Sequence, residues 1–222
     1  MTLNQETEYL LHKFSHELRN PLTSLYSTIQ LIEMKHPEVK DFKYWSNLNH
    51  DMEYMNTLIT ELSDFSKSDN LNLSTFSLRT LLEQTSLSFA AMAADTQVEF
   101  RAKIDPSIHQ ITGDKTKIQE LFRNLLKNAL DAAMPDKTIY LEALSLETEV
   151  LIRIQDTGCG IEASKLPTIF EPFITYKKNG TGLGLSICNQ IIKAHKGKIT
   201  VESEVSVGTT FEVYLPVNLP LL

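Results

Sequence analysis

Cysteine is scarce: Cys159 and Cys188 are the only two in 222 residues. Two thiols cannot staple a chain of this length, so its fold must rest on apolar cores, and a reducing compartment fits. Basic residues are also in deficit: 21 Lys and Arg against 28 Asp and Glu leave a net charge of -7 and a pI near 5.4. Nucleic acid and anionic membrane surfaces are bound through a basic field, so neither is expected as a partner, although a local basic patch at a phosphate site is still compatible. No apolar run approaches the ~20 residues that a membrane span requires, and the first residues lack the pattern of a secretion signal. The expectation is a cytoplasmic segment without membrane contact of its own, which could equally be the cytosolic part of a membrane-anchored protein. Glycine is sparse too. Of eight, five stand in two short clusters, at Gly158 and Gly160 and at Gly180, Gly182 and Gly184.

What is present is apolar patterning. The hydrophobic fraction of 42% is enough for real cores, and ~150 residues per domain suggests one or two of them. Leu11, Phe14, Leu18, Leu22, Leu25, Ile29 and Ile32 recur every three or four residues and predict a long amphipathic helix. His36-Pro37 ends it, because a residue before proline is pushed out of the α region. Trp45, Leu48, Met52, Met55, Ile59 and Leu62 predict a second helix. Two such helices form an antiparallel hairpin whose apolar surface needs a further partner, most simply a second copy completing a four-helix bundle. Residues 66–75 are polar and without period, so a linker is placed at 69–76, between a domain over 1–68 and another over 77–222. In the second domain, helices are expected near 78–93, 115–133 and 185–194. Strands are expected near 98–102, 138–144, 150–155, 198–202 and 210–215. Strands and helices without strict βαβ alternation imply an α+β sandwich, one sheet with helices on one face. The fold class is therefore α followed by α+β.

Three constellations carry chemistry. His16 lies about 150° around the first helix from the apolar stripe, so it faces solvent, followed by Glu17 and, one turn on, Asn20. A lone surface histidine is usually only solvated. Here Pro21, costly inside a helix, stands one turn later and suggests a deliberate kink. The glycine clusters form the second constellation. Asp156-Thr-Gly-Cys-Gly-Ile follows a strand and Asn179-Gly-Thr-Gly-Leu-Gly-Leu-Ser precedes a helix; glycines let the backbone approach a ligand closely, and helix N-termini favour anions. The second cluster superficially resembles a dinucleotide loop, but it does not follow a first strand in a βαβ unit and no acidic residue closes a later strand at the expected spacing; the lysine-containing P-loop is also absent. Third, Asn124, Asn128 and Asp131 share one face of a helix that Leu121, Leu125, Leu126 and Leu130 also pack into a core. A polar surface stripe would look the same, but amides beside a core are better explained by a ligand or a metal.

Together these residues resemble the histidine protein kinase family over nearly the whole chain. Residues 14–22 look like its phosphoacceptor box and 120–132 like its asparagine box. Residues 156–161 look like its first glycine box, 170–173 like its phenylalanine box and 180–184 like its second glycine box. The resemblance implies a dimerisation and phosphotransfer hairpin followed by an ATP-binding α/β sandwich of the kind shared with gyrase and a heat-shock chaperone. It implies autophosphorylation of His16 from ATP with Mg²⁺, assisted by Glu17, then transfer to a response-regulator receiver domain by a homodimer. It implies that Asn128 holds Mg²⁺, that Asn124 and Asp131 lie by the phosphates, and that Asp156 accepts from the adenine amine. Gly158 and Gly160 would pass close to the base and Ile161 pack near it. Gly180, Thr181, Gly182, Leu183 and Gly184 would form the lid and helix start beneath the phosphates, and Thr209 support the adenine side. Lys177 and Lys178 are either triphosphate contacts or a solvated pair. Asn20, in a Glu-x-x-Asn pattern, would orient water for dephosphorylating the regulator, or merely satisfy backbone opened at Pro21. Two competing readings are a non-enzymatic phosphotransfer scaffold, opposed by the intact boxes, and a superfamily ATPase without histidine transfer, opposed by the hairpin.

Overall fold

The computed structural model describes residues 3–66, 71–133, 135–177 and 180–218. The chain divides into two compact units, residues 1–67 with 175–183, and residues 68–174 with 184–222.

The first unit is built on two helices, α1 (Leu3–Lys35) and α2 (Trp45–Phe65), joined through a short 3-10 turn at Pro37–Asp41. α1 runs through Pro21 and stops before His36-Pro37. The turn is fastened by Glu33, whose Oε1 accepts from Trp45 Nε1 at 2.7 Å and Asn49 Nδ2 at 2.8 Å. These two hydrogen bonds, Trp45 first, hold the Glu33 carboxyl below its ordinary range. The apolar stripe expected on α1 splits in two. Leu22 and Ile29 pack against Met52 and Ile59, with Trp45 at the edge, while Leu18 and Leu25 remain half exposed. The residues repeat every seven: 22 and 29 with 45, 52 and 59 turn inward, and 18, 25 and 32 with 48 and 55 turn outward. Alternating threes and fours keep two adjacent positions on one side of a helix, and a single partner helix covers only one of them.

The second unit is an α/β sandwich. A five-stranded sheet has the order β2-β4-β5-β7-β6, with β2 Glu99–Ile104, β4 Thr138–Ser145, β5 Glu149–Asp156, β6 Lys198–Glu204 and β7 Gly208–Pro216. The β2–β4 pair is parallel and the others antiparallel. Three helices, α3 (Leu78–Asp95), α4 (Lys115–Ala132) and α5 (Gly184–Ala194), supply the other layer. Leu82, Leu121, Phe122, Leu125 and Ile191 from these helices meet Ile139, Leu141, Ile152, Ile154 and Val213 of the sheet in a core with almost no solvent contact. Strand alternation sends the polar residues to the opposite face, where Arg153 bridges Glu142 at 3.0 Å and Glu212 at 2.7 Å across three strands. A further antiparallel pair was not anticipated: β1 (Ser74–Ser77) joins β3 (Gln110–Gly113). β1 occupies the last residues of the segment read as linker, and its Ser-Thr-Phe-Ser sequence is too short and polar to show a strand period.

Candidate nucleotide and phosphoacceptor sites

In the hairpin unit, His16, Glu17 and Asn20 are exposed on α1, as their helical position requires. Glu17 lies at 4.0 Å from Lys13 Nζ, a solvated pair one turn apart. The same unit contains residues 175–183. There Lys177 is exposed, Leu183 is buried, and Gly182 takes φ 73°. The Thr181 hydroxyl donates to the Glu61 carboxylate on α2 and accepts from the Leu183 amide at 3.3 Å. Lys178 lies outside the described residues. Neither Lys13 nor Glu61 was singled out from sequence, since nothing in a local pattern marks either one.

In the sandwich unit, α4 is started by Asp114, whose Oδ1 accepts from the amides of Thr116 and Lys117 at 3.1 Å each. Its buried face is Ile118, Leu121, Phe122, Leu125, Leu126 and Ala129. Asn124 and Asn128 lie half-buried along the rim of that face, and Asp131 is exposed near the carboxyl end. One turn before Leu125, the Leu121 carbonyl accepts from the Cys188 thiol of α5 at 3.8 Å, and burial pushes that thiol well above its ordinary value.

Asp156 closes β5 and is only 3% exposed. Its Oδ1 accepts from the Gly158 amide at 2.8 Å, which fixes the carboxylate's orientation. Thr209 stands opposite it on β7, and Ser203 opposite Thr209 on β6, so three short polar side chains form one row across the sheet. Ser203, at the end of the row, gathers three hydrogen-bond contacts. Its hydroxyl accepts from the Ile161 amide at 2.8 Å, donates to the Gly208 carbonyl at 2.9 Å, and lies 2.9 Å from Thr209 Oγ1. With its one proton given to Gly208, Ser203 receives that of Thr209. Ser203 was missed from sequence because its place in the row depends on strand register, which tertiary pairing sets.

The glycines of the first cluster have a use inside the protein. A Cβ at Gly158 would stand 2.3 Å from the Ala132 carbonyl oxygen, and one at Gly160, where φ is 68°, would stand 2.0 Å from that of Glu204. The Cys159 amide donates to Ala132 and its carbonyl accepts from Ser206. The loop is thereby clamped between the carboxyl end of α4, one turn beyond Asn128, and the β6–β7 turn. Gly184 differs: a Cβ there would meet nothing within 4 Å at the amino end of α5. In the phenylalanine box, Phe170 packs edge-on to Phe211 at 6.4 Å between centroids, while Phe173 is exposed at φ 65°.

Two family descriptions match this chain in this order: the His Kinase A (phospho-acceptor) domain over residues 7–71, and the histidine kinase-, DNA gyrase B-, and HSP90-like ATPase over residues 113–219. The catalytic domain of the histidine kinase ThkA is 30% identical, superposes with a TM-score of 0.61, and is covered over 97% of its length by 66% of this chain. The chain belongs to the histidine kinase family. It is also 31% identical to the signal transduction histidine-protein kinase AtoS of Escherichia coli (strain K12), over 94% of this chain and 34% of AtoS, so it spans about a third of that relative. ThkA solved in complex with the response regulator protein TrrA has the same fold over 97% of this chain and 64% of that one, with a TM-score of 0.69 at 23% identity. Among the described residues, no helix is long and apolar enough to cross a membrane.

Proposed function

We propose that this histidine kinase family chain is the catalytic core of a two-component sensor kinase acting in the cytoplasm. In this reading residues 1–68 are the dimerising phosphoacceptor domain, 69–76 the linker and 77–222 the ATP-binding domain. The observation that carries it is Asp156, a buried carboxylate at a strand end, oriented by Gly158 and set in a row with Thr209 and Ser203. A carboxylate is acceptor-only, and a purine amine is the neutral donor that such a position reads. The family match of the ATPase region and the exposed His16 on the other unit complete the argument.

The residues fit Mg-ATP. Asp156 takes the adenine amine, Ile161 covers the base, and Thr209 supports that side. Gly158 and Gly160 shape the loop that borders the base. Asn124, Asn128 and Asp131 line the α4 rim toward the phosphates. Gly180, Thr181, Gly182, Leu183 and Gly184 serve as the lid and the helix start beneath the phosphates, and Lys177 and Lys178 as triphosphate contacts. Among the described residues, no three His, Cys, Asp or Glu side chains gather as a metal cluster. A single amide oxygen from Asn128 suits Mg²⁺, which keeps several waters and takes phosphate oxygens. Such an ion, held by Asn128, would supply neutralisation of phosphate charge.

Phosphoryl transfer asks the protein for positioning more than for covalent chemistry. A neutral ring nitrogen of His16 forms the N–P bond as the bond from the γ-phosphorus to the ADP oxygen breaks. Glu17 orients the ring and accepts the proton of its other nitrogen. The phosphoryl group then passes to an aspartate of a receiver domain, the partner class with which ThkA has been solved. The outward apolar positions of the hairpin suit a homodimer, and Asn20 suits water-mediated removal of the regulator's phosphoryl group. Incubating the chain with γ-labelled Mg-ATP and a panel of receiver domains tests this reading. Label must appear first on the kinase and then on a receiver. A chain that binds ATP yet never labels itself would contradict it.

A further inference from the structure

Away from those side chains, one buried titratable ring is held by both of its nitrogens. His195 follows the last residue of α5 and is 1% exposed. Its Nδ1 lies 2.7 Å from the Ile191 carbonyl, which can only accept, so Nδ1 carries the proton. Its Nε2 lies 2.9 Å from the Asp114 amide, which can only donate, so Nε2 is bare. The ring is thus neutral and in one tautomer. Asp114 does more than receive the ring. Besides capping α4 through Oδ1, it takes the Asn72 amide on Oδ2 at 2.8 Å, where the chain enters this unit ahead of β1. A Cβ on Gly113 would stand 3.2 Å from the ring Cδ2, so the ring is packed directly against the end of β3. One imidazole therefore touches three parts of the unit: the far end of the helix that begins at Gly184, the first turn of the helix that carries Asn124 and Asn128, and, through Asp114, the entering chain.

We propose that His195 is a positioning residue for the nucleotide site, tying α4, α5 and the entering chain at Asn72 into one frame through the Asp114 amide and carboxylate. The proposal rests on the reading that α4 and α5 border the nucleotide. A proton added to Nε2 would face the Asp114 N–H, and the Asp114 carboxylate is already engaged by three amides. Protonation therefore breaks the tie. Burial lowers the His195 pKa, opposed by the Ile191 carbonyl and the Asp114 charge and aided by Lys117. The charged groups facing the ring are Asp114 and Lys117 at the start of α4; β3 presents uncharged Gly113 and α5 the Ile191 carbonyl. Because the folded value lies below the ordinary one, the tie is intact above pH ~6.5 and its contribution fades as the pH falls below that toward the folded value.

The test uses the whole chain with His195→Leu, which removes the acceptor, and His195→Gln, which offers an oxygen near the position of Nε2. Amide exchange of peptides covering 71–77 and 114–124, corrected for intrinsic rates, is followed between about pH 7.5 and 5.5, either side of the ordinary histidine value. Mg-ADP affinity is measured by calorimetry alongside. In the Leu variant both peptides exchange about tenfold faster, equivalent to about 1.4 kcal/mol, and ADP affinity falls in step. The Gln variant restores both and loses the pH dependence, while the wild type approaches the Leu variant at the acid end. A folded Leu variant with wild-type protection in both peptides overturns the proposal, as does lost protection with unchanged ADP affinity. If the Leu variant does not fold, wild-type exchange that is flat with pH overturns it. A wild-type chain that binds no nucleotide while exchange responds as expected overturns the nucleotide reading and leaves the frame standing.

Discussion

Asp156 and Asn20 show how far single side chains can be separated by role. Asp156→Asn keeps an oxygen for the Gly158 amide, so the loop retains its shape, but half of the carboxylate's accepting edge becomes a donor. Leaving an adenine amine without its partner costs about 1–3 kcal/mol, on the order of 5- to 150-fold in affinity. Calorimetry with Mg-ADP is expected to show that loss without a matching change in melting temperature; wild-type affinity would remove Asp156 from the site. Asn20 makes the opposite case. It is exposed on α1, one turn after His16, where a carboxamide can orient a water without touching ATP. Asn20→Ala is expected to retain most autophosphorylation while the phosphorylated receiver, mixed with kinase and ADP, loses its label more slowly than with wild type. Dephosphorylation at the wild-type rate would make Asn20 structural, and a parallel fall in autophosphorylation would point to the backbone around Pro21 instead.

The hairpin's seven-residue repeat leaves a row of apolar residues facing outward. Leu25 is 53% exposed although it belongs to the same stripe as buried Leu22 and Ile29. A second hairpin would cover it together with Leu18, Leu48 and Met55. Leu25→Glu is expected to leave the helical content of the hairpin intact and to convert a micromolar dimer into a monomer in sedimentation equilibrium. A wild-type monomer, or a dimer that survives Leu25→Glu, would sink that reading. Helices of this kind were legible in the sequence because a periodic apolar face declares itself locally: α3, α4 and α5 fall within a residue or two of where their spacing put them, and α2 runs three residues past Leu62. The five strands of the main sheet were legible for the same reason. The β1–β3 pair was not, since four residues each give no period and their pairing joins segments 36 residues apart, Ser74 with Gly113 at one end and Ser77 with Gln110 at the other. The row from Asp156 through Thr209 to Ser203 was only partly visible, because which strand residues face one another is decided by packing and not by neighbours in the chain. His195 had no local signal at all: an isolated histidine at a helix end acquires its meaning only from Asp114, 81 residues away.

On the scale of the whole molecule, the expected site residues divide between the two units. His16, Glu17 and Asn20 lie in the hairpin unit with Lys177, Gly180, Thr181, Gly182 and Leu183, whereas Asn124, Asn128, Asp131, Asp156, Gly158, Gly160, Ile161, Gly184 and Thr209 lie in the sandwich unit. In the proposed reading, the nucleotide residues belong to one unit and the receiving imidazole to the other, so the reaction would draw on both. This also explains why the sandwich can resemble ATPases of other purpose while the pairing with a phosphoacceptor hairpin specifies the kinase. The central claim is that this imidazole is His16. The most direct measurement is label from γ-labelled Mg-ATP on the wild-type chain and on His16→Gln, with the product exposed to acid and to alkali. An acid-labile, alkali-stable label on the peptide containing His16 and none in the variant is the expected result, with ADP affinity unchanged; undiminished label in His16→Gln would contradict that assignment.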